Sequence, residues 1–550
     1  MRSTIFIFCL TLASISSQAQ YQWGSFDINA SGDSKPLHLT EYNGKLFFSA
    51  DDGVHGIEPW MTDGTVSGTQ MLKDICFSGN GDAFGFTQYA GKLYFDANDC
   101  TNGRELWVTD GTGFGTQMLL DMNFGAANST PGYFTVFNNK LYFGATETNQ
   151  DNEPWISDGT AGGTQILHVI HPGAGGSDPD FFTVFNGKLY FFANDGTNGR
   201  ELWISDGNFG NGTQLVKDIN PGGNPSVLGS AHFIEYNNKL YFFANDNAHG
   251  NELWVTDGTA ASTLLLKDIN PGATGQNIQP QGDVFINGIV YNGKLYFNAN
   301  DGTHGAELWV TDGTAGGTQM FMDINAGAGS SANLVNTAGA SFAIYNGKLY
   351  FKASDGVNGT ELWATDGTVP GTQMLDIVPG SGSSFPAMLK VYKNKLYFKA
   401  ADNNGSQMWV SDGTLAGTQT IQPPIVILSG ALLAETEEFT EFDNKLFFVA
   451  KYNSTGAELW YLEDTTTAAA VPQTVAASAG LSLYPNPLGH GNTVMVEVGD
   501  ASEFNLLDVS GRSVMHGQVA KGKNTIALPK DLAAGTYIFS TPLGRQLLVK

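Results

Sequence analysis

The 550-residue chain has only three cysteines, and Cys9 lies inside an apolar N-terminal run, so Cys76 and Cys100 are the thiols of the rest. That excludes a disulfide-stapled scaffold and any Cys/His cluster at metal spacing. Basic residues are scarce, 27 Lys and Arg against 53 Asp and Glu, a net charge of −26. Such a surface repels nucleic acid and anionic membranes, and no basic stripe offsets it. No later apolar run is long enough to span a bilayer, so no transmembrane segment is expected. There is no Gly-rich phosphate loop beside a helix, and no paired carboxylates or nucleophile with its base. Catalysis therefore has no named residues, and no ligand-binding residue stands out either. The most irregular acids, Glu435, Glu437, Glu438 and Glu441, read as an acidic solvated loop.

What the chain has instead is 69 glycines and 12% aromatics, a composition for short strands and tight turns. It also repeats. Residues 186–206 (NGKLYFFANDGTNGRELWISD) read as a hairpin, two strand-type runs joined by a Gly/Asn/Asp turn. Its tryptophan recurs about every 50 residues, as Trp60, Trp107, Trp155, Trp203, Trp254, Trp309, Trp363, Trp409 and Trp460. A lysine precedes each by fourteen or fifteen residues, and an acid follows each by three. Each unit parses into four strands, FFTVFN, KLYFFAN, ELWISD and GTQLVKDIN in the fourth. Asn-Gly or Asn-Asn links the first two, and Asp-Gly-Thr links the last two.

Four strands in about 50 residues is the measure of a propeller blade. The fold class expected is all-β, a closed β-propeller of about nine four-stranded blades; a solenoid, or eight blades and an irregular unit, are the alternatives. Trp23 to Asn29 resembles only a fourth strand, and the last unit supplies only three, so the N-terminal strand is expected to close the last blade. The meander places the DGTNG turns and blade connections on one face, called upper here, and the Asn-Gly and Asp-Gly-Thr turns on the other. The long connections fall on the upper face while the lower turns barely change, which makes the upper face the candidate functional surface.

Several recurring residues invite a role. The lysine and the acid, Lys188 and Asp206 in the fourth unit, face each other across the hairpin and are expected to form an ion pair. The mid-strand tryptophans read as blade packing. His55, His249 and His304 alternate with Asn102, Asn198 and Asn358, an exchange expected from shared tolerance of left-handed backbone. Asp52, Asp99, Asp195, Asp246, Asp301 and Asp355 lie six residues before the repeat glutamate or its equivalent, in Gly-rich turns. They are candidate ligands for Ca2+, the one cofactor considered, with a plain Asx turn as the alternative. Cys76 and Cys100 fall on one face in neighbouring blades and are a disulfide candidate.

At the N-terminus, Arg2, the apolar residues 5–15 and Ser17-Gln18-Ala19 match a secretory signal cleaved near Ala19. Segments such as residues 307–314 (ELWVTDGT) and then Gly317-Thr318 resemble the ELWxxDGT repeat family of secreted bacterial proteins, over about residues 21–463. That family is defined by its motif, so the resemblance implies the repeat and no activity. This chain departs from it at Pro59 and Pro154, Asn208, Gln407-Met408 and Glu463.

Residues 464–480 form a Thr/Ala-rich linker, and residues 481–550 a small β domain with strands TVMVEV, FNLLDV, NTIAL, TYIFS and QLLVK, patterned as an immunoglobulin-like sandwich. The segment is similar to the C-terminal sorting domain of type IX secretion substrates in Bacteroidetes. Tyr484-Pro485-Asn486-Pro487, residues 508–512 with Gly511, Leu532, Gly535-Thr536-Tyr537 and the terminal Lys550 carry the likeness. It implies the type IX machinery as a partner and a protein secreted from, or held on the outer surface of, a Gram-negative bacterium. The expected function is a binding propeller for adhesion or capture of an extracellular glycan or protein ligand. An extracellular hydrolase or lyase at the ring axis, or a structural surface-layer component, are the alternatives. A cluster of unlike polar side chains at the channel mouth would favour catalysis, a ring of like ones binding.

Overall fold

The computed structural model describes residues 20–147, 151–173, 175–227, 232–271, 288–331, 342–423, 439–452, 456–465, 481–484, 493–498, 502–507, 513–528, 536–541 and 544–549. The signal segment with Ala19, most of the linker, Glu435, Glu437 and Glu438 lie outside them. Two compact units divide after residue 466.

The first unit is a nine-bladed β-propeller. Blade 4 shows the plan: Asp180–Phe185, Lys188–Asn194, Arg200–Ser205 and Thr213–Lys217 pair in that order, all antiparallel. The turn between its first two strands holds Asn186 and Gly187 at φ 47° and 70°, the two left-handed residues that a tight hairpin needs. Eight sheets follow this order. In the ninth, Thr440–Phe442, Lys445–Ala450 and Glu458–Asp464 are followed by Tyr21–Phe26, with Tyr21 opposite Asp464 and Phe26 opposite Leu459. First strands of neighbouring blades approach one another, so they are the inner strands around the axis.

Blades meet through apolar clusters, each shared by two neighbours. Phe137, Tyr142 and Ile156 of blade 3 pack with Leu189, Phe191 and Trp203 of blade 4, and Phe442, Phe447 and Leu459 of blade 9 with Leu46, Phe48 and Ala50 of blade 1. Trp203 is 7% exposed, and its Nε1 donates to Ala193 O at 3.1 Å, so the tryptophans are interface anchors and not exposed platforms. Truncating a buried Trp costs about 3–5 kcal/mol. Lys217 adds a latch between blades 4 and 5, donating to Thr263 O at 2.7 Å with its ammonium 5.5 Å from the Trp254 ring. Lys73 and Lys267 repeat it on Trp107 and Trp309.

The repeat glutamate has a structural task that its sequence position alone does not reveal. Glu58, Glu105, Glu153, Glu201, Glu252, Glu307, Glu361 and Glu458 are 0–1% exposed. Each takes hydrogen bonds from the connection to the next blade. Glu58 accepts Ile75 N, Cys76 N and Gly81 N at 2.8, 3.2 and 2.9 Å, and Glu153 accepts Ile170 N, His171 N and Ser177 Oγ at 2.9, 2.9 and 2.7 Å. Glu458, in the last blade, draws its donors from the N-terminal segment, Ile28 N at 3.0 Å and Ser34 Oγ at 2.6 Å. Blade 8 carries Gln407, which among the described residues donates to Asp402 and accepts from Gln422.

The clamped connection reaches the next blade's upper turn. A Cβ on Gly302 would fall 2.4 Å from Asn270 Oδ1, and one on Gly356 would fall 2.3 Å from Asn325 Oδ1, so only glycine fits there. Both glycines are left-handed, φ 78° and 76°. Between blades 1 and 2 the same two places hold Cys76 and Cys100, which are disulfide-bonded with Cα atoms 5.3 Å apart. The disulfide thus stands where other interfaces carry an Asn on Gly contact.

The expected Lys–Asp ion pair does not form. Leu189 lies opposite Ser205, so the register argument holds, yet no ion pair joins Lys188 to Asp206 among the described residues. The aspartate turns to nearer donors: Asp206 Oδ1 accepts Asn208 N at 2.8 Å, and Asp63 Oδ1 accepts Thr65 N and Oγ1 at 2.9 and 2.7 Å. A donor two residues away costs less ordering than a lysine side chain across the hairpin.

In the second unit, Leu481–Tyr484, Thr493–Val498 and Gly522–Ala527 form one sheet, and Ser513–Val519, Ser502–Leu507, Thr536–Thr541 and Gly544–Val549 another. Val494, Val496 and Ile526 of the first share a core with Phe504, Leu506, Val519, Tyr537 and Phe539 of the second. Tyr537, one of the residues that carry the sorting-domain likeness, is therefore a core residue, and Tyr484 pairs opposite Met495. Pro485, Asn486, Pro487, Gly511, Leu532, Gly535 and Lys550 lie outside the described residues.

Burial pushes the carboxyls of Glu58, Glu105, Glu201, Glu252 and Glu458 up to about 7, against the pull of their N–H and hydroxyl donors. An acid whose folded pKa is raised binds its proton more tightly in the native state, so its stabilisation is full below its ordinary 4.5 and lost as pH rises toward 7. The melting temperature should therefore fall between about pH 5 and pH 8. A melting temperature that holds or rises over that interval would contradict this account of the clamp.

Candidate functional site

The repeat symmetry breaks most clearly on the inner strands. In blades 1, 2, 3, 4 and 8 the inner strand gains one residue against its partner, with register shifts between Leu37 and Thr40, Phe84 and Thr87, Gly132 and Thr135, Asp180 and Thr183, and Ala387 and Lys390. The bulged residue is left-handed each time: His38 at φ 64°, Gly85 at 73°, Tyr133 at 58°, Phe181 at 53° and Met388 at 57°. In blades 1 to 4 a threonine two residues on secures the bulge, as Thr183 Oγ1 does by donating to Phe181 O at 3.1 Å. Glycine is the inexpensive residue at such a φ, and blade 2 uses it. Tyrosine, phenylalanine and histidine there hold strain that the bulge itself does not require.

Met388 is buried between blades 8 and 9, whereas the bulged side chains of blades 3 and 4 line the axis toward the upper face. Tyr133 and Phe181 have ring centroids 5.0 Å apart, and Phe181 and His232 4.7 Å, which makes a row of three rings on three adjacent blades. Phe134 and Phe182 alternate away from them into the blade interfaces. Together with Thr135, Thr183 and Phe233 they enclose a recess of about 250 Å³. On the neighbouring arc His38 meets Phe84 edge-on at 4.3 Å. Burial lowers the pKa of both His38 and His232, so their imidazoles are neutral near pH 7. The nearest charges cancel, since Arg200 Nη2 donates to Asp180 Oδ1. Burial raises Asp180 to about 6 in spite of that arginine, and Asp96, paired with Arg104 at 2.7 Å, behaves the same way.

This is neither of the arrangements anticipated for the channel mouth. The recess is unlike from blade to blade, but aromatic and uncharged. Its residues were not singled out from sequence. The available signal was Gly85 in the same column, followed two residues later by a threonine in four successive units.

The six candidate calcium aspartates are spread over six separate upper turns, and each is occupied by its own turn. Asp195 Oδ1 accepts Thr197 N and Asn198 N at 2.9 and 2.7 Å, and its Oδ2 accepts Asn198 Nδ2 at 2.7 Å. Asp99 and Asp355 match it with Asn102 and Asn358. Asp52, Asp246 and Asp301 differ only in that His55, His249 and His304 supply Nδ1, each at 2.7 Å. Among the described residues no three His, Cys, Asp or Glu gather as a metal site. The His/Asn exchange has a different cause from the one expected. Neither residue type is left-handed at these places; the glycine that follows is, as Gly250 is at φ 80°. Imidazole Nδ1 and amide Nδ2 present the same N–H at the same reach from the backbone, and that shared donor makes them interchangeable.

A propeller with an aromatic recess at its axis is the class of protein that this geometry defines. No protein-family model matches the chain, and no curated protein matches its sequence. Among solved structures it is similar to puromycin hydrolase, with a TM-score of 0.33 and 12% identity over 68% of this chain and 61% of that one. It is also similar to a puromycin-hydrolyzing peptidase of Mycobacterium tuberculosis, with a TM-score of 0.34 and 11% identity over 70% and 60%. Oligopeptidase B from Leishmania major gives 0.35 and 10% over 70% and 54%. The chain thus spans between half and two thirds of the length of those structures, and likeness at this level assigns no activity. No helix among the described residues is long and apolar enough to cross a membrane.

The shared-donor reading makes a direct forecast. The hydrogen bond from Asp246 raises the pKa of His249 above its ordinary 6.5, so its imidazole should titrate above that value by NMR. His249→Asn should leave the melting temperature unchanged, whereas His249→Leu, which lacks the N–H, should lower it by roughly 1–2 °C. Equal tolerance of both would show that the side-chain donor is not what the turn selects.

Proposed function

We propose that the protein is a secreted or surface-displayed binding propeller, its ring sealed by its own N-terminal strand, which captures an extracellular ligand at the upper mouth of the axis. The observation that carries this is the row of Tyr133, Phe181 and His232, three touching rings on or just before the inner strands of adjacent blades, two of them in left-handed backbone. Large rings kept at a position where glycine suffices are retained for something other than folding. On a rigid scaffold they line a small, mostly apolar recess with convergent aromatic rings.

Export rests on separate support. The resemblance of residues 481–550 to type IX sorting domains, with an immunoglobulin-like sandwich as the implied fold, assigns them the role of address label, and the N-terminal segment that of a signal peptide cleaved near Ala19. A disulfide-bonded Cys76–Cys100 pair suits an oxidising destination.

The capture reading is tested by probing a glycan and matrix-protein array with the exported protein, with calcium and again with chelator. Specific binding is expected in both conditions, because the aspartates are occupied by their own turns; a blank array in both would refute capture. The sorting role is tested by deleting residues 481–550, which should strand the protein in the periplasm. Normal secretion of that truncation would dismiss it.

A further inference from the structure

Building on the capture reading, we infer that the ligand is an uncharged polysaccharide, one sugar ring of which enters the axial recess while the chain runs outward over the upper face of blades 1 and 2. Three observations point there. The first is size. At about 250 Å³ the recess falls short of the ~300–1,000 Å³ that surrounds a drug-sized ligand, so it accepts a single ring and no folded partner.

The second is charge. Among the residues lining the recess only Tyr133 and His232 titrate, and His232 is held toward its neutral form by burial. The adjacent Asp180 is already paired with Arg200. An anionic sugar would bring a charge with no cation to receive it, to a protein that already carries −26. The combination of aromatic faces with a threonine hydroxyl at Thr135 and an imidazole suits a ligand with apolar faces and a hydroxylated rim. That is the surface of a neutral pyranose.

The third lies outside the recess. The residue that follows the clamped connection in blades 1 and 2 is Phe77 and Phe124, 89% and 80% exposed. The other connections place Pro172, Pro221 or Ala326 there, so the fold asks for no aromatic. Two aromatic side chains in the equivalent place on neighbouring blades offer further stacking positions to a chain that starts in the recess.

The experiment is calorimetric titration of the exported protein with cellohexaose, xylohexaose and mannohexaose, and with hexagalacturonate as the anionic counterpart. At least one neutral hexamer should bind, and the uronate should not. Tyr133→Gly should weaken binding about ten-fold or more while the melting temperature stays level or rises, since glycine relieves the left-handed backbone. Tyr133→Phe should keep the affinity within about three-fold, because the stacking face remains. Phe77→Ala with Phe124→Ala should weaken the hexamer and leave the corresponding disaccharide unaffected. Binding of the uronate alone, unchanged affinity in Tyr133→Gly, or a marked fall in its melting temperature would each overturn the inference. If no neutral hexamer binds but the array shows capture of a protein, this inference fails and the capture reading stands; if both are blank, both fail.

Discussion

One carboxylate in each of eight blades sets the geometry of the propeller. A buried acceptor left without donors costs on the order of 1–3 kcal/mol, more if charged, and among the described residues the donors to Glu58, Glu201 and Glu307 are N–H and hydroxyl groups of the connection to the next blade. The connection must therefore fold around the glutamate. Once it does, its apex falls on the next blade's upper turn, where Asn270 meets Gly302 and Cys76 meets Cys100. Glu458 extends the rule to the chain's own beginning, because Ile28 and Ser34 fill the places that Ile75 and Gly81 fill for Glu58. The apolar clusters supply most of the stabilisation; the glutamates decide where each blade sits.

That division of labour explains what the repeat tolerates. An interface can be tightened by a lysine over a tryptophan, as Lys217 does, or by a disulfide, without moving the clamp. Blade 8 shows the limit. With Gln407 in place of glutamate the side chain carries an N–H as well as an oxygen, and its partners change to Asp402 and Gln422. The amide needs an acceptor where the acid needed only donors.

The blades were legible because their determinants are local. Asn186-Gly187 dictates a two-residue turn, Asp195 with Asn198 dictates the upper turn, and the alternation around Trp203 dictates a strand buried on both faces. Reasoning from register alone went too far with Lys188 and Asp206. Being opposite is necessary for an ion pair, but Asn208 N offers the carboxylate a partner at smaller entropic cost. The His/Asn exchange is visible in the sequence, but its cause, a shared side-chain donor, shows only in the hydrogen bonds to Asp246 and Asp195. The axial recess was the least legible part, because a bulge depends on how one strand counts against another, and tyrosine or phenylalanine has no preference for the left-handed region that would betray it. Only Gly85 carries that information, and a single glycine in a chain with 69 does not announce itself.

A repeat protein contains its own comparison set. Nine blades solve the same packing problem, so a side chain that most blades do without is not needed for the solution. Trp203, Glu201 and the paired turn residues pass as structural by this standard, since nearly every blade has them. Tyr133 and Phe181 do not, because blade 2 builds the same bulge with glycine at less strain. Phe77 and Phe124 do not, because proline or alanine serves elsewhere. Phe114 and Phe209, on the lower turns of blades 2 and 4, are also exposed, but they stand in non-adjacent blades, and single exposed hydrophobics are ordinary on protein surfaces. What distinguishes the axial residues is convergence. Their rings touch across three blades, and three strained or unshared choices that meet at one point are harder to account for by drift than by a ligand.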